Sequence, residues 1–177
     1  MRGGSRGDTE RRRRVGTAPG MDVRAAITLA VTSVSTWERF FRAAAGLNID
    51  KNDIKRHQDF IDARLRSLVA RAEAVAKANG RDLIELWDLP ITAGLQACLH
   101  EFDKLDADLD LTSALREITP LPPTDFDYSE QTRNNLVSVA GGVSVALARA
   151  LRLLDPDVKN PQTTHWERAE RLFDLLL

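Results

Sequence analysis

Few residues in this sequence have the types and spacing that chemistry requires. Asp53 and His57 are four positions apart, so on a helix they would share a face and could hold a metal ion. Acidic helices produce such pairs freely, and we expect a solvated surface pair instead. His100 stands beside a glutamate, and His165 precedes Trp166, where capping or packing explains it better than base catalysis. The histidines therefore predict no metal site and no catalytic site.

Other catalytic motifs are missing from the sequence as well. It contains no glycine-rich phosphate loop, no nucleophile elbow and no paired-cysteine metal motif. Cys98 falls on the apolar stripe of a helix, so we expect a small core residue and not a nucleophile. We therefore expect that the protein is not an enzyme and has no cofactor, metal or identifiable small-molecule substrate.

Composition limits the class of protein. The chain has 177 residues, of which 43% are hydrophobic and 29% charged, as in soluble globular proteins of one domain. No apolar run approaches the roughly 18 residues needed to cross a bilayer, so no membrane span is expected. A single cysteine allows no intrachain disulfide, which favours a reducing interior. The expected location is the cytoplasm.

Charge is distributed unevenly along the chain. Residues 1–20 carry six arginines against Asp8 and Glu10, and residues 21–177 have a net charge of -5. The first segment is rich in glycine and arginine and poor in large apolar residues, so it is expected to be a disordered tail. It could serve as a nucleic-acid arm or as part of an export signal. Alternatively, Met21 is the true start and the Arg-rich tail is misassigned.

The first half of the chain predicts helices in the order short, long, short. A short helix spans residues 35–45 and starts at a capping serine or threonine. A long helix follows from about Asp50 to Asn79. A third helix begins at Asp88, with Pro90 in its first turn, where a missing N–H costs nothing. The apolar stripe of the long helix comprises Ile54, Ile61, Leu65, Leu68, Ala72 and Val75.

The second half predicts the same order again. A short helix covers Leu111 to Ile118, a long helix capped by Ser129 runs to Leu154, and a last helix opens at Thr164 or His165. The stripe of this second long helix comprises Leu136, Val139, Val143, Leu147, Ala150 and Leu154.

Two tryptophans suggest an internal repeat. Trp87 and Asp88 in the first half are answered by Trp166 and Glu167 in the second, each pair opening the last helix at an offset of 79 residues. Tryptophans at helix starts, including Trp37, are expected to anchor the core. The repeat divides the chain into units 35–106 and 107–177.

The spacing of Arg81 and Asp88 predicts a structural bridge. A guanidinium in the joint can bind the aspartate at the next helix start through two parallel hydrogen bonds. Alternatively, Asp88 is only a helix cap and Arg81 is solvated or faces phosphate. Asn160 stands at the position that matches Arg81, so the second unit cannot form the same bridge.

A long helix between two short ones has too little self-contact to be stable alone. We therefore expect the two units to form an all-α intramolecular pseudo-dimer, a single compact domain over residues 21–177. The long helices would cross near their middles, where the stripe around Leu65 to Val69 meets Gly141 and Gly142. Two glycines inside a helix cost roughly 1 kcal/mol each relative to alanine, which favours a close backbone approach over a tolerated weak point.

Three segments resemble a known family. They are TWERFFRAAAGLNIDKNDIKR at 36–56, KANGRDLIELWDLPITAGLQ at 77–96 and GGVSVALARALRLLDPDVKNPQTTHWERA at 141–169. They look like the bacterial and archaeal histone-like proteins of a domain-of-unknown-function family, and the resemblance spans about Ser35 to Leu177. It implies a double histone fold, two short-long-short helix units in one chain.

The same joint is also similar to archaeal and eukaryotic histones, in which a threonine follows the arginine by two positions. Leu83 occupies that place here. The family usually has a lysine where Ala93 stands and a proline where Leu86 stands. These departures remove groups that the resemblance would otherwise assign to DNA binding.

Two functions fit these observations. The first, implied by the resemblance, is a histone-like architectural protein that binds DNA weakly and without sequence preference, in the nucleoid. The second is a protein-interaction module that dimerises or assembles with a partner, because RLFDLLL at 171–177 leaves apolar residues on several faces. The candidate nucleic-acid contacts are Arg39, Arg42, Lys51, Lys55, Arg81, Lys159 and Asn160.

Overall fold

Six α-helices and two very short strands make up the described part of the chain, residues 23–176, in a computed structural model that describes side chains from residue 34 onward. The helices are α1 (Val23–Ala45), α2 (Lys51–Ala78), α3 (Ala93–Leu109), α4 (Leu111–Ile118), α5 (Glu130–Leu154) and α6 (Thr163–Leu176). The strands are β1 (Leu83–Ile84) and β2 (Asp127–Tyr128), and a 3-10 turn covers Leu86–Asp88. The all-α class is confirmed. The Arg-rich segment 1–20 lies outside the described residues.

α2 begins and ends where the sequence predicts. The Asp50 carboxylate accepts hydrogen bonds from the backbone of Asn52 and Asp53, and Asp53 accepts one in return from Asp50, which together form a capping box. Gly80 follows the helix with a φ of 69°, a conformation that suits glycine. The predicted stripe is buried except at its last member, Val75, which is 42% exposed.

α1 is about twice as long as the sequence predicts. It starts at Val23, so Ser35 and Thr36 lie inside the helix and do not cap it. No glycine or proline interrupts residues 21–45, and nothing there stops a helix once it has formed. Gly46, with a φ of 67°, ends it as predicted. The prediction of a short first helix is therefore wrong.

α3 starts later than the predicted position, Asp88. Leu89 has φ -67° and ψ 131°, the extended conformation that a proline imposes on the residue before it, and here that proline is Pro90. Helix formation resumes at Thr92, whose hydroxyl accepts a hydrogen bond from the Leu95 N–H at 3.2 Å. Asp88 is consequently the last residue of a 3-10 turn and not the start of α3.

Trp87 and Trp166 are not equivalent, which corrects the proposed repeat at this point. Trp166 and Trp37 are buried in the core as expected, but Trp87 is 71% exposed. The offset of 79 aligns the starts of α2 and α5 and fails for the last helices. The offset fails there because the two connections differ in length: the α2–α3 connection covers residues 79–92, whereas the α5–α6 connection covers only residues 155–162.

α3 also runs past the predicted boundary between residues 106 and 107. It continues to Leu109, and Asp110 takes a positive φ of 51° between α3 and α4. The Asp106 carboxylate accepts hydrogen bonds from the backbone N–H of Thr112 at 2.6 Å and from its hydroxyl at 2.7 Å. α3 and α4 are therefore joined at Asp110.

α5 lies at the centre of the core. Ser129 caps it as predicted, accepting a hydrogen bond from the Thr132 N–H at 3.2 Å. By length and composition alone α5 could cross a membrane, but 67% of its most apolar window is buried inside the fold. That burial is typical of the core helix of a globular protein. Its predicted stripe is buried from Leu136 to Ala150.

Gly141 and Gly142 pack against α3. A Cβ atom on Gly141 would lie 2.5 Å from the Phe102 ring. A Cβ atom on Gly142 would lie 2.9 Å from Cγ and 3.2 Å from the backbone nitrogen of Leu99. The glycines therefore allow α3 to pack closely on α5, so the close approach predicted for them is made by α3, whereas their marking of the crossing of the two long helices stays a prediction.

The longer connections pair with each other through the strands. β1 and β2 are parallel, with Leu83 opposite Asp127 and Ile84 opposite Tyr128. The Ile84 carbonyl also accepts hydrogen bonds from the Ser129 N–H and from the Thr132 hydroxyl, both at 3.0 Å. The start of α5 is thereby fixed to the connection that follows α2.

The shorter connections pair through one backbone hydrogen bond. The Asn48 N–H, between α1 and α2, donates to the Lys159 carbonyl, between α5 and α6, at 2.7 Å. Leu47 and Ile49 on either side are buried in the core, as is Val158. Side chains from both halves of the chain form one continuous hydrophobic core.

Candidate nucleic-acid interface

Two of the predicted phosphate contacts meet where the shorter connections pair. The Arg42 guanidinium donates to Asn48 Oδ1 at 3.4 Å, and Asn48 is itself bound to the backbone of Lys159. The side chains of Arg42, Lys159 and Asn160 are exposed, and Lys51 starts α2 three residues after Asn48. We call this set, residues 42, 48, 51, 159 and 160, the basic edge.

Side-chain hydrogen bonds fix the α5–α6 connection, which contributes Lys159 and Asn160 to the basic edge. His165 Nδ1 accepts a hydrogen bond from the Gln162 N–H at 2.9 Å, so its Nε2 carries the proton and donates to Asp155 at 3.1 Å. This hydrogen bond lowers the pKa of the Asp155 carboxyl below its ordinary value. His165 thus acts as a cap, as the sequence predicts. The Arg152 guanidinium donates to the Val158 carbonyl and fixes the residue before Lys159.

Lys55 and Arg39 are also exposed but less directly connected to this edge. Lys55 is one turn beyond Lys51 on α2 and donates to Asp59 at 2.9 Å, an exposed pair that contributes little stability. Arg39 lies one turn before Arg42 on α1. Both side chains could therefore add charge near the edge without forming part of it.

The Arg81 side chain binds other residues of its own connection, between α2 and α3. Its two terminal nitrogens each donate to Asp88 at 2.7 Å, and Nη1 also donates to the Leu83 carbonyl at 3.1 Å. The Asp88 side chain is 1% exposed and accepts a further hydrogen bond from the Glu85 N–H. The Arg81 hydrogen bonds hold the pKa of Asp88 below its ordinary value. The predicted bidentate bridge is formed.

The seven predicted contacts do not form one patch. Arg81 follows the end of α2 and Lys51 begins it, so about 28 residues of helix, or roughly 40 Å, separate the two. The connection that contains Arg81 pairs with β2, and this end of the fold is acidic. Its exposed or half-buried carboxylates belong to Asp82, Glu85, Asp125, Asp127 and Glu130. We call these five residues with Trp87 the acidic edge.

Asp53 and His57 are not a solvated surface pair, and the expectation of one is wrong. Both are buried, and His57 is fully so, with its Nε2 2.8 Å from the Ser144 hydroxyl on α5. The imidazole also contacts the rings of Trp37 and Phe41 at centroid distances of 4.5 and 5.3 Å. Burial lowers the His57 pKa to about 3 and raises that of Asp53. Both side chains are therefore part of the core and not of the solvated surface.

The burial of His57 could have been predicted from its position along α2, which is missed when His57 is considered only as a partner of Asp53. His57 stands three positions after Ile54 and four before Ile61, which places it on the apolar stripe of α2. Cys98 is buried as expected, and burial raises its pKa. Among the residues that the structure describes, no group of three metal-ligating side chains comes together.

Comparison with known proteins places the chain in a family. Two uncharacterized proteins of Aquifex aeolicus (strain VF5) are similar to it. One is 26% identical over 115 residues, covering 65% of this chain and 67% of the relative. The other is 28% identical over 140 residues, covering 69% and 78%.

Two solved structures are similar in fold. A crystal structure of a Thermus thermophilus protein is 53% identical, has a TM-score of 0.72, and matches 81% of this chain and 97% of its own. A 1.9 Å crystal structure of an Aquifex aeolicus protein is 23% identical, with a TM-score of 0.72 over 82% and 95%. The resemblance to an unknown-function domain family is confirmed. The family model described as domain of unknown function DUF1931 matches residues 37–174, and the chain therefore belongs to this family.

Proposed function

We propose that this chain is a double histone fold that associates weakly and without sequence preference with DNA, as a histone-like architectural protein of the cytoplasmic nucleoid. The observation that carries the proposal is the hydrogen bond from Asn48 to Lys159. It joins the first connection of one half to the last connection of the other. Cationic side chains from α1, α2 and the α5–α6 connection are thereby presented together.

The pairing of the connections supports the histone-like pseudo-dimer. In each half, a long helix is preceded by one connection and followed by another. The first connection of each half meets the last connection of the other, through Asn48 and Lys159 at one end and through β1 and β2 at the other. Such a reciprocal exchange is what two halves related by an approximate two-fold axis would give, as in a dimer of histone folds, and it supports the proposal.

The carboxylates of Asp50 and Asp157 are exposed beside the basic edge, but the two ends differ in the cations they expose, and this difference supports contact through one end only. The basic edge offers Arg42, Lys51 and Lys159 with the amides of Asn48 and Asn160, groups that bind phosphate oxygens. At the other end Arg81 is bound to Asp88, among carboxylates that repel phosphate. A small contact of this kind gives weak binding that falls steeply with salt.

A gel-shift series over salt concentration tests this proposal. We expect retention of random-sequence duplex DNA at about 50 mM salt and its loss by about 200 mM, because few phosphates are neutralised. Different DNA sequences of one length should be retained equally. Absence of retention at the lower salt concentration would contradict DNA association, and the protein would then fit the second function better.

That second function is self-association or assembly with a protein partner. Leu153, Leu175 and Leu176 are 82%, 85% and 67% exposed at the ends of α5 and α6. Leu153 and Leu176 border an apolar groove of about 510 Å³, lined from α3 by Leu95 and Cys98. Exposed apolar patches of this kind mark interaction sites.

Light scattering at several protein concentrations tests the second function. A dimer that becomes a monomer when Leu175 and Leu176 are changed to serine would support it. The matched control is Leu121→Ser, because Leu121 is also exposed but lies in the α4–α5 connection. A wild-type protein that stays monomeric at millimolar concentration would contradict self-association.

A further inference from the structure

Trp87 is held in solvent by a rigid turn. The 3-10 turn Leu86–Asp88 is closed by the Asp88 carboxylate, which binds both Arg81 and the Glu85 N–H. Leu89 on the far side of the turn is buried and fixes its other end. The exposed ring therefore loses little conformational entropy when a partner covers it, and such tryptophans often dominate binding energy.

The surroundings of Trp87 select the chemistry of that partner. Trp87 lines a cavity of about 410 Å³ together with the apolar side chains of Leu86, Leu89 and Ile91 and with Gln96 and Gln131. Glu85 belongs to the same connection two residues earlier, and Asp82 and Asp127 meet at the strand pair, where the Asp127 N–H donates to the Asp82 carbonyl at 3.1 Å. An aromatic face next to carboxylates binds arginine or lysine, by stacking the cation on the ring and pairing it with the acids.

The chain carries a segment of matching chemistry. Residues 1–20 contain Arg2, Arg6 and the run Arg11 to Arg14, and their net charge is +4. The 22 residues before Val23 can extend to roughly 70 Å at about 3.3 Å per residue. A folded unit of about 154 residues has a radius of gyration of roughly 15 Å. The segment is therefore long enough to reach either end of the fold.

We propose that residues 1–20 dock on the acidic edge of the same chain, with guanidinium groups of the Arg11 to Arg14 run stacking on Trp87 and pairing with Asp82 and Asp127. Docked there, these arginines are unavailable to phosphates. Docked in this way, the segment does not act as a DNA arm. This inference does not need DNA binding to hold, because its readout is the environment of Trp87 without DNA.

The fluorescence of Trp87 can report whether the ring is covered. The other two tryptophans, Trp37 and Trp166, are 0% and 1% exposed, so acrylamide quenching of the full-length protein reports mainly on Trp87. In low salt, changing Arg11 to Arg14 to glutamine should raise the quenching constant about twofold, because the ring loses its cover. About 1 M salt, where screening reaches roughly 3 Å, should give the wild type the same increase.

Matched variants assign the effect to this edge. The double change Asp82→Asn with Asp127→Asn should increase quenching as much as the arginine changes do. Neutralising four other exposed arginines, Arg66, Arg71, Arg168 and Arg171, should leave it unchanged. A synthetic peptide of residues 1–20 added to the Arg11 to Arg14 variant should restore the shielding saturably.

Three results would overturn the proposal. The first is equal quenching of the wild type and the Arg11 to Arg14 variant in low salt. The second is an equal effect of the control arginines. The third is shielding that is lost on dilution, because it would come from a second molecule. Circular dichroism of each variant, with unchanged helical signal, ensures that altered quenching does not come from unfolding.

Discussion

His57 Nε2 and Ser144 Oγ lie 2.8 Å apart and join the two long helices inside the core. Ser144 donates its own proton to the Ala140 carbonyl at 2.9 Å, so the imidazole must be the donor in the bond between them. His57 Nδ1 then faces the interior as an unpaired acceptor. Such a neutral tautomer tolerates burial, whereas a second proton would bring an unpaired charge into the core.

The first prediction concerns stability in mild acid. Burial lowers the His57 pKa from 6.5 to about 3, so below pH 6.5 the unfolded chain binds a proton that the folded chain does not. The free energy of unfolding should therefore fall as pH decreases, by roughly 1.4 kcal/mol per unit from this group. Urea unfolding of the wild type and of His57→Gln from pH 7 to pH 4 should show this slope in the wild type alone.

The exposed histidine provides the control for that experiment. His100→Gln changes a solvent-facing imidazole on α3 and should keep the wild-type slope. If His57→Gln and His100→Gln give the same pH dependence, His57 does not control stability in acid. Comparing differences between proteins removes the common contribution of the carboxylates, which titrate in part of the same range.

The second prediction concerns the close packing of α3 on α5. Gly141→Ala gains up to about 1 kcal/mol of helix propensity, but its Cβ would lie 2.5 Å from the Phe102 ring. Overpacking should outweigh the gain and lower the free energy of unfolding by roughly 1–3 kcal/mol in denaturant titrations. Combining Gly141→Ala with Phe102→Leu should recover part of that loss.

Gly94 in the first turn of α3 is the matched control. A Cβ there would meet only the Thr92 hydroxyl, at 3.9 Å, which is ordinary contact. Gly94→Ala should therefore be neutral or slightly stabilising. Equal effects of alanine at Gly94 and Gly141 would show that helix propensity, and not the approach of Phe102, determines the outcome.

The third prediction concerns the bridge between Arg81 and Asp88. Asp88 has a lowered pKa, so the bridge stabilises the fold at neutral pH and this contribution is lost as pH falls from about 4 through the lowered value. Asp88→Asn should lower the midpoint of urea unfolding at pH 7. Toward pH 3 its midpoint should approach that of the wild type, and a constant difference would contradict this explanation.

The limits of α2 could be predicted because each rests on local chemistry. Asp50 and Asp53 form a capping box, and Gly80 takes a positive φ, which short sequence patterns encode directly. The start of α3 depends equally on local chemistry, but Pro90 fits two patterns. A proline is compatible with a first helical turn, and here its effect on Leu89 instead blocks the helix until Thr92.

Long-range features were harder to predict. The glycines of α5 indicate a close approach, but periodicity does not say which helix makes it, and α3 makes it through Phe102. The burial of His57 depends on Ser144, which is 87 residues away. Likewise the pairing of Asn48 with Lys159, on which the candidate interface rests, has no sequence pattern of its own.

The central claim, that DNA is bound at the basic edge, is tested most directly by the salt dependence of affinity in two double variants of the full chain. Lys51→Gln with Lys159→Gln removes two charges from that edge. The control, Lys77→Gln with Lys104→Gln, removes two exposed lysines elsewhere. All three proteins keep residues 1–20, so a difference belongs to the edge. Fluorescence anisotropy with a labelled duplex gives each affinity.

We expect the slope of log affinity against log salt to decrease by about 2 for the edge variant, roughly 0.9 for each lost phosphate contact, and to remain unchanged for the control. Equal slopes for both variants, or no measurable binding of the wild type at about 50 mM salt, would contradict the claim.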